Sequence, residues 1–89
     1  MAQLNVHPTS TGILVVDCQH DALSHLDTRI VIPLMPAEST PPGADRLHPI
    51  VDIDGRPFVL ATQFLASVPR RDLKGAIASV EADRYAILG

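Results

Sequence analysis

The residues whose types could do chemistry are concentrated in one polar segment, residues 17–27. Two histidines and three aspartates share it: His20, His25, Asp17, Asp21 and Asp27. Imidazole and carboxylate groups are ligands for zinc and other divalent ions. However, a five-residue separation does not place two histidines on one helical face, and no further ligand follows at motif spacing. Solvated loop residues are therefore favoured over a metal site, and a small metal-dependent enzyme stays open as a lesser alternative.

Two smaller candidates have simpler structural explanations. Cys18 could be a nucleophile with His20 or His25 as its base, but it follows an apolar run and is typical of a buried strand end. Asp52 and Asp54 could form an acid/base pair, but Asp54 suits a tight turn and Asp52 a solvent face. We therefore predict no catalytic residue, no metal and no cofactor, and a protein that is not an enzyme.

The remaining histidines and a basic pair carry little information in the sequence. His7 and His48 each precede a proline at the edge of a predicted strand, and neither has an identifiable partner. Arg70 and Arg71 could contact a small anion or a partner, but adjacent arginines are usually solvated. These four residues are assigned no role from the sequence alone.

Composition narrows the function further. The chain has 89 residues, with Lys+Arg 7, Asp+Glu 10 and a formal net charge of −3. We expect one domain over residues 1–89, because 46% hydrophobic residues suffice for a core at this length. The acidic balance argues against direct nucleic-acid binding, and the single cysteine excludes an internal disulfide. Since neither a membrane-length apolar run nor a signal peptide is visible, we expect a cytoplasmic protein without membrane contact.

The elements that must position these residues are predicted to be short antiparallel strands. Apolar runs at residues 4–7, 13–16 and 29–34 are cut by proline and glycine, which is typical of a mainly β domain. Pro33 cannot donate to a ladder, so its strand is expected at a sheet edge or with a bulge. Residues 17–27 between two of these runs read as a connecting loop or a short helical turn.

The second half of the chain carries a hairpin and then a helix signal. Asp54-Gly55 separates the apolar runs 48–53 and 56–61, which predicts a hairpin with a type I′ turn. Residues 63–69 read as a turn followed by a short strand, and 73–78 as a last strand. A short C-terminal helix is predicted to begin at Ser79 as its N-cap. Its apolar side would carry Val80, Ile87 and Leu88.

Four segments, in order, resemble the CcdB family of toxins from toxin–antitoxin modules. Residues 16–21 resemble the family's Val-Asp-x-Gln-x-Asp segment, and 28–34 its Arg-x-Val-Ile-Pro-Leu strand. Residues 47–51 resemble its Leu-x-Pro-Val strand, and 62–69 its Thr-x-x-x-Ala-Ser-Val-Pro segment. No one segment is decisive, but their order and spacing together are specific.

The resemblance implies an SH3-like antiparallel barrel with a C-terminal helix, which forms a homodimer. It implies a toxin that binds the DNA gyrase A subunit, traps gyrase on cleaved DNA and is stripped off by a cognate antitoxin. Plasmid maintenance and repression of transcription are further family expectations. By position, Asp21, Ala22 and Leu23 would contact gyrase or antitoxin, and Ile87 and Leu88 would belong to the C-terminal helix contact.

Two departures from the family pattern bear on activity. The family loop carries two apolar contact residues, and Ala22 gives up most of the contact area of a larger side chain. By spacing, Gly89 falls near the middle of the family helix, so the residues that poison gyrase at its end have no counterpart here. The alternative expectation is therefore a truncated, non-poisoning relative that acts only in dimerisation and antitoxin binding.

Overall fold

The computed structural model describes residues 3–23, 25–39, 49–83 and 87. The described residues contain seven strands. In chain order, the first four are β1 (Asn5–Pro8), β2 (Leu14–Asp17), β3 (Thr28–Pro36) and β4 (Ile50–Ile53). Three follow: β5 (Arg56–Leu60), β6 (Ala66–Pro69) and β7 (Ala78–Ser79). Single 3-10 turns lie between them at Asp21–Leu23, Ala37–Ser39, Thr62–Phe64, Arg70–Asp72 and Glu81–Asp83.

The strands form one antiparallel sheet that is nearly closed into a barrel. Its order is β4-β5-β3-β2-β1-β7, and β6 pairs with β3 beside this path. The mainly β architecture predicted from the apolar runs is confirmed. Within the described residues, no helix has the length and apolar character that a membrane span requires.

The longest strand, β3, is central rather than at an edge, so the expectation for Pro33 is corrected. Its first half pairs with β6 through Val31, and its second half pairs with β5 from Leu34 onward. The Pro33 carbonyl accepts a hydrogen bond from the Ala61 N–H (2.9 Å), so the backbone of Pro33 faces this outer side. Pro33 thus lies opposite Ala61, where the partner of β3 changes from β6 to β5, and the bond that its missing N–H would return to Ala61 is not made.

The hairpin predicted at Asp54-Gly55 is confirmed. Ile53 pairs with Arg56, which leaves a two-residue turn between β4 and β5. Asp54 has φ 53° and Gly55 has φ 80°, and a type I′ turn requires positive φ at both central residues. This element is therefore determined by a local sequence signal.

Alternating side chains build two apolar clusters. The larger contains ten buried residues: Leu4, Val6, Val16, Ile32, Leu34, Val51, Ile53, Phe58, Leu60 and Val80. The smaller contains Val15, Val31 and Leu73, with Val68 packed against them. Val15 and Val16 lie in different clusters because successive strand residues point to opposite faces of the sheet. Burial of both faces of β2 and β3 explains their continuous apolar runs.

The end of the chain differs from its sequence prediction. The last strand is only Ala78–Ser79, and Leu73 forms an isolated bridge with Thr9. The C-terminal helix is not shown: Glu81–Asp83 form a 3-10 turn whose Glu81 N–H donates to Ser79 Oγ (3.3 Å), and beyond it Ile87 alone is described, in a helical conformation. Residues 84–86, 88 and 89 lie outside the described residues, and Ile87 is half-buried against the larger cluster.

Candidate functional site

Three of the predicted contact residues share one exposed turn. Asp21, Ala22 and Leu23 form the 3-10 turn within the 18–27 loop, which joins β2 to β3, and none of the three is buried. The Leu23 N–H donates to the His20 carbonyl (2.9 Å), and the Leu23 side chain is 44% exposed. The loop or short helical turn predicted between the two strands is thus confirmed, and its polar surroundings decide how it is held.

A buried ion pair lies directly beneath the loop. Asp17 ends β2 and Arg29 lies in β3, and both side chains are wholly buried. Asp17 Oδ2 accepts hydrogen bonds from Arg29 Nε (2.9 Å) and Nη2 (2.5 Å). Each charge depends on the other for stability, because a buried charge without its partner would lose its hydration and gain no ion pair in return. The ion pair therefore links the two strands that the loop connects, at the point where each strand meets the loop.

Gln19 extends this network into the loop. Asp17 Oδ1 accepts the Gln19 N–H (3.0 Å), and Gln19 Oε1 accepts the Ile30 N–H (3.1 Å). Gln19 Nε2 donates to the Leu23 carbonyl at 2.6 Å. The Gln19 side chain is 3% exposed, so its amide is an internal crosslink between β3 and the exposed turn. The polar residues of the segment Val16–Asp21 are thus used to shape the loop.

The start of the chain supports the other side of the turn. The Gln3 N–H donates to Asp21 Oδ1 (2.8 Å), and Gln3 Nε2 donates to the Cys18 carbonyl (3.1 Å). Leu4 follows with φ 69° and is wholly buried, which is a strained backbone conformation for a leucine. Its N–H donates to the Asp17 carbonyl and its carbonyl accepts from the Val80 N–H. Leu4 therefore connects the base of the loop to the C-terminal segment.

Arg70 holds the far end of the loop, a role that the sequence did not indicate. Its Nη2 donates to the Leu26 carbonyl (2.7 Å), and its backbone N–H donates to the Asp27 carbonyl (2.7 Å). The side chain is half-buried, so Arg70 is a structural contact, unlike exposed Arg71. The sequence prediction of a solvated pair is wrong for Arg70.

The histidines do not assemble a metal site among the described residues. His20 Nδ1 accepts the Ala22 N–H (3.0 Å), and Asp17 is engaged by Arg29. Where the chain is described, no group of three or more His, Cys, Asp or Glu side chains is placed to hold an ion. His7, for which the sequence identified no partner, is buried, and its Nδ1–H donates to the Lys74 carbonyl (2.8 Å). His48 lies outside the described residues.

The thiol of Cys18 lies beside the ion pair and is poorly suited to nucleophilic chemistry. Burial, and after it the negative charge of Asp17, raises the pKa of Cys18 to about 11, against the opposing effect of a backbone hydrogen bond at Ile32. Sγ–H donates to the Val16 carbonyl at 3.6 Å. Since the thiolate is the nucleophile, a thiol protonated at neutral pH supports the interpretation as a small packing residue, and Cys18 lies half-buried against the larger apolar cluster.

The other candidates from the sequence are placed apart from the loop. Asp52 and Asp54 are exposed at the hairpin, where Asp54 occupies a turn position. Ile87 packs against the larger cluster, and Leu88 lies outside the described residues. The structure therefore brings Asp21, Ala22 and Leu23 together, and the Leu4 backbone joins the base of their loop to the C-terminal segment.

The arrangement presents a preorganised surface that suits contact with another molecule. An exposed turn carries a carboxylate and a leucine, and it is fixed from below by buried polar groups and from the side by Gln3 and Arg70. A preorganised loop of this kind loses little conformational entropy when a partner docks. The Asp17–Arg29 pair has a signal in the sequence, because each residue places a charge beside an apolar strand and the two charges have opposite signs.

Comparison with known proteins agrees with this picture. The family model described as CcdB protein matches residues 3–89, which is essentially the whole chain. No curated protein matches the chain at the threshold applied. Two of the four segments that resemble the family in sequence, residues 16–21 and 28–34, contain Asp17, Gln19, Asp21 and Arg29.

Proposed function

The chain belongs to the CcdB family, a family of toxins rather than of classical enzymes, and from this premise we propose that it binds the DNA gyrase A subunit. In this proposal the toxin traps gyrase on cleaved DNA, and a cognate antitoxin strips it off. It acts in the cytoplasm, where gyrase works, and makes or breaks no covalent bond itself. The observation that supports contact with a protein is the exposed, internally braced turn Asp21–Leu23.

The physical requirement for such a poison is differential affinity. A ligand shifts a conformational equilibrium only as far as it binds one state better than the others. We propose that Asp21, Ala22 and Leu23 contact gyrase or the antitoxin and that Ile87 and Leu88 belong to a second contact in the C-terminal segment. Because the net charge is −3, the antitoxin would supply the DNA contacts for any repression of transcription.

We also propose a homodimer. Ile30, Phe64 and Leu65 are 40%, 59% and 55% exposed, and they lie beside or immediately before the edge strand β6. Apolar side chains grouped at an edge favour burial against another chain. Analytical ultracentrifugation tests this directly: a dimer is expected at micromolar concentration, and a monomer up to 100-fold higher concentration would contradict it.

The gyrase proposal is tested by binding and by trapping with the same purified protein. The dimerisation region of a bacterial gyrase A subunit is expected to bind the chain in calorimetry, and whole gyrase with plasmid DNA to accumulate cleaved DNA. Leu23→Ala should weaken binding, whereas Ile50→Ala is the matched control because both side chains are 44% exposed.

Growth assays extend the test to cells. Expression should stop growth in a host with sensitive gyrase and spare a host whose gyrase A carries a resistance substitution. Growth arrest that ignores the gyrase genotype would contradict the target. Binding without cleaved DNA would contradict poisoning and would favour the alternative, a module for dimerisation and antitoxin binding.

A further inference from the structure

The 18–27 loop exposes a second leucine beyond the predicted contact residues. Leu26 is 39% exposed, three residues after Leu23, which is 44% exposed. An isolated exposed leucine is ordinary on a protein surface and by itself indicates nothing. Leu26 differs in how its backbone is held, because each side of the residue makes a hydrogen bond that fixes it relative to the predicted contact turn.

The first of these bonds joins the two leucines. The Leu26 N–H donates to the Leu23 carbonyl (3.1 Å), and the same carbonyl accepts from Gln19 Nε2 (2.6 Å). Leu26 is therefore hydrogen-bonded to the Leu23 carbonyl oxygen, the same atom through which Gln19 positions the turn. The two exposed leucines belong to one hydrogen-bonded unit.

The second bond comes from Arg70. Its Nη2 donates to the Leu26 carbonyl, and its backbone N–H donates to the next carbonyl, that of Asp27. An arginine side chain loses considerable rotamer freedom when it is fixed in this way. Here the contact fixes an exposed loop and leaves Leu26 39% exposed. The fold gains order at Leu26 while part of its apolar surface stays accessible.

We propose that Leu26 is a further contact residue of the gyrase-binding surface, and that Arg70 is the positioning residue that holds it through the Leu26 carbonyl. This inference rests on the proposed function and deepens it. Ala22 presents only a methyl group at the turn, so apolar contact area must come from another side chain. Leu26, beside Leu23, supplies it, and the partner surface is expected to offer an apolar recess to both leucines.

Truncation of Leu26 tests the contact. Leu26→Ala is expected to lower affinity for the gyrase A dimerisation region about tenfold, in the range of an interface residue that matters, with an unchanged urea midpoint. Ile50→Ala is the control, because Ile50 is 44% exposed and lies outside both the loop and the proposed dimer edge. Equal losses for both variants, or an unchanged affinity for Leu26→Ala, would overturn the proposal.

A double-mutant cycle tests the positioning role of Arg70. Arg70→Ala should weaken binding about fivefold when Leu26 is present and have almost no further effect when Leu26 is already alanine. A purely structural role would weaken both backgrounds equally, so additive losses would contradict positioning. Arg70→Lys, which keeps a donor near the carbonyl, is expected to recover part of the loss.

Failure of this inference and failure of the proposed function have different signatures. If the unmodified chain does not bind the gyrase fragment, the function is wrong and the inference falls with it. If the unmodified chain binds, and Leu23→Ala weakens binding while Leu26→Ala does not, the function stands and only the extension to Leu26 is wrong.

Discussion

The 18–27 loop and the Asp54–Gly55 hairpin both present an aspartate at an exposed turn, but they are held by different forces. The hairpin needs only two residues with positive φ between paired strands. The loop depends on the buried Asp17–Arg29 pair and on contacts from Gln3 and Arg70, which are distant in sequence. The hairpin turn is fixed by its own two residues and serves to connect two strands. The loop is held in one conformation by distant residues, and a fixed exposed conformation is what a binding surface requires.

The largest expected effect is at the base of the loop. Asp17→Ala leaves Arg29 buried without its carboxylate, so we expect the free energy of unfolding to fall by about 3–5 kcal/mol. Asp52→Ala, at an exposed carboxylate in the hairpin, should change it by less than about 0.5 kcal/mol. Urea denaturation measures both. A loss below about 1 kcal/mol for Asp17→Ala would show that the ion pair does not hold the loop.

The next effect concerns the crosslink made by Gln19. Gln19→Met keeps the volume but leaves the Ile30 N–H without its acceptor and removes one of the two donors to the Leu23 carbonyl, at a cost of about 1–3 kcal/mol. Hydrogen exchange at the Ile30 amide should become faster than the loss of global stability by itself would explain. Gln63→Met is the control at an exposed glutamine, and faster exchange at Ile30 in that variant would contradict a local effect.

The hairpin is expected to respond to a backbone change instead. Gly55→Ala places a Cβ at φ +80° and should cost about 1–2 kcal/mol, although nothing lies within 4 Å of that Cβ. Gly75→Ala is the control, because its site is equally open and it has no positive φ in that range. The same loss of stability in both variants would mean that the turn conformation is not what limits the hairpin. Affinity for the gyrase fragment should be unchanged by either.

The smallest effect at neutral pH is at Cys18. Its pKa is raised from 9.0 to about 11 in the folded protein, so the folded state binds this proton more tightly than the unfolded one. The resulting stabilisation is fully present below pH 9 and is lost as the pH rises toward 11. Alkylation by iodoacetamide should show its midpoint near pH 11 in the folded chain and near 9 in urea. Coincident midpoints would contradict the raised pKa.

Sequence patterns predicted the mainly β fold, the Asp54–Gly55 hairpin and a loop or short helical turn within residues 17–27, because these depend on neighbours along the chain. They misplaced Pro33, because an edge position is the usual way to avoid a lost N–H, and here Pro33 lies where β3 changes its partner strand. The roles of Arg70 and His7 were missed for a related reason. Their partners are backbone carbonyls at Leu26 and Lys74, which carry no sequence signature.

The amino-acid sequence by itself determined the alternation of apolar runs, the local turns and the membership of the CcdB family, since each depends on residue types in a fixed order. Tertiary structure alone decided that Asp17 meets Arg29 and that Gln19 bonds both the Ile30 N–H and the Leu23 carbonyl. It also decided that Leu4 takes a strained conformation in which its backbone bonds Asp17 and Val80. The physical reason is that a buried charge or amide is stable only beside a specific partner. Which partner that is depends on how the strands cross in space.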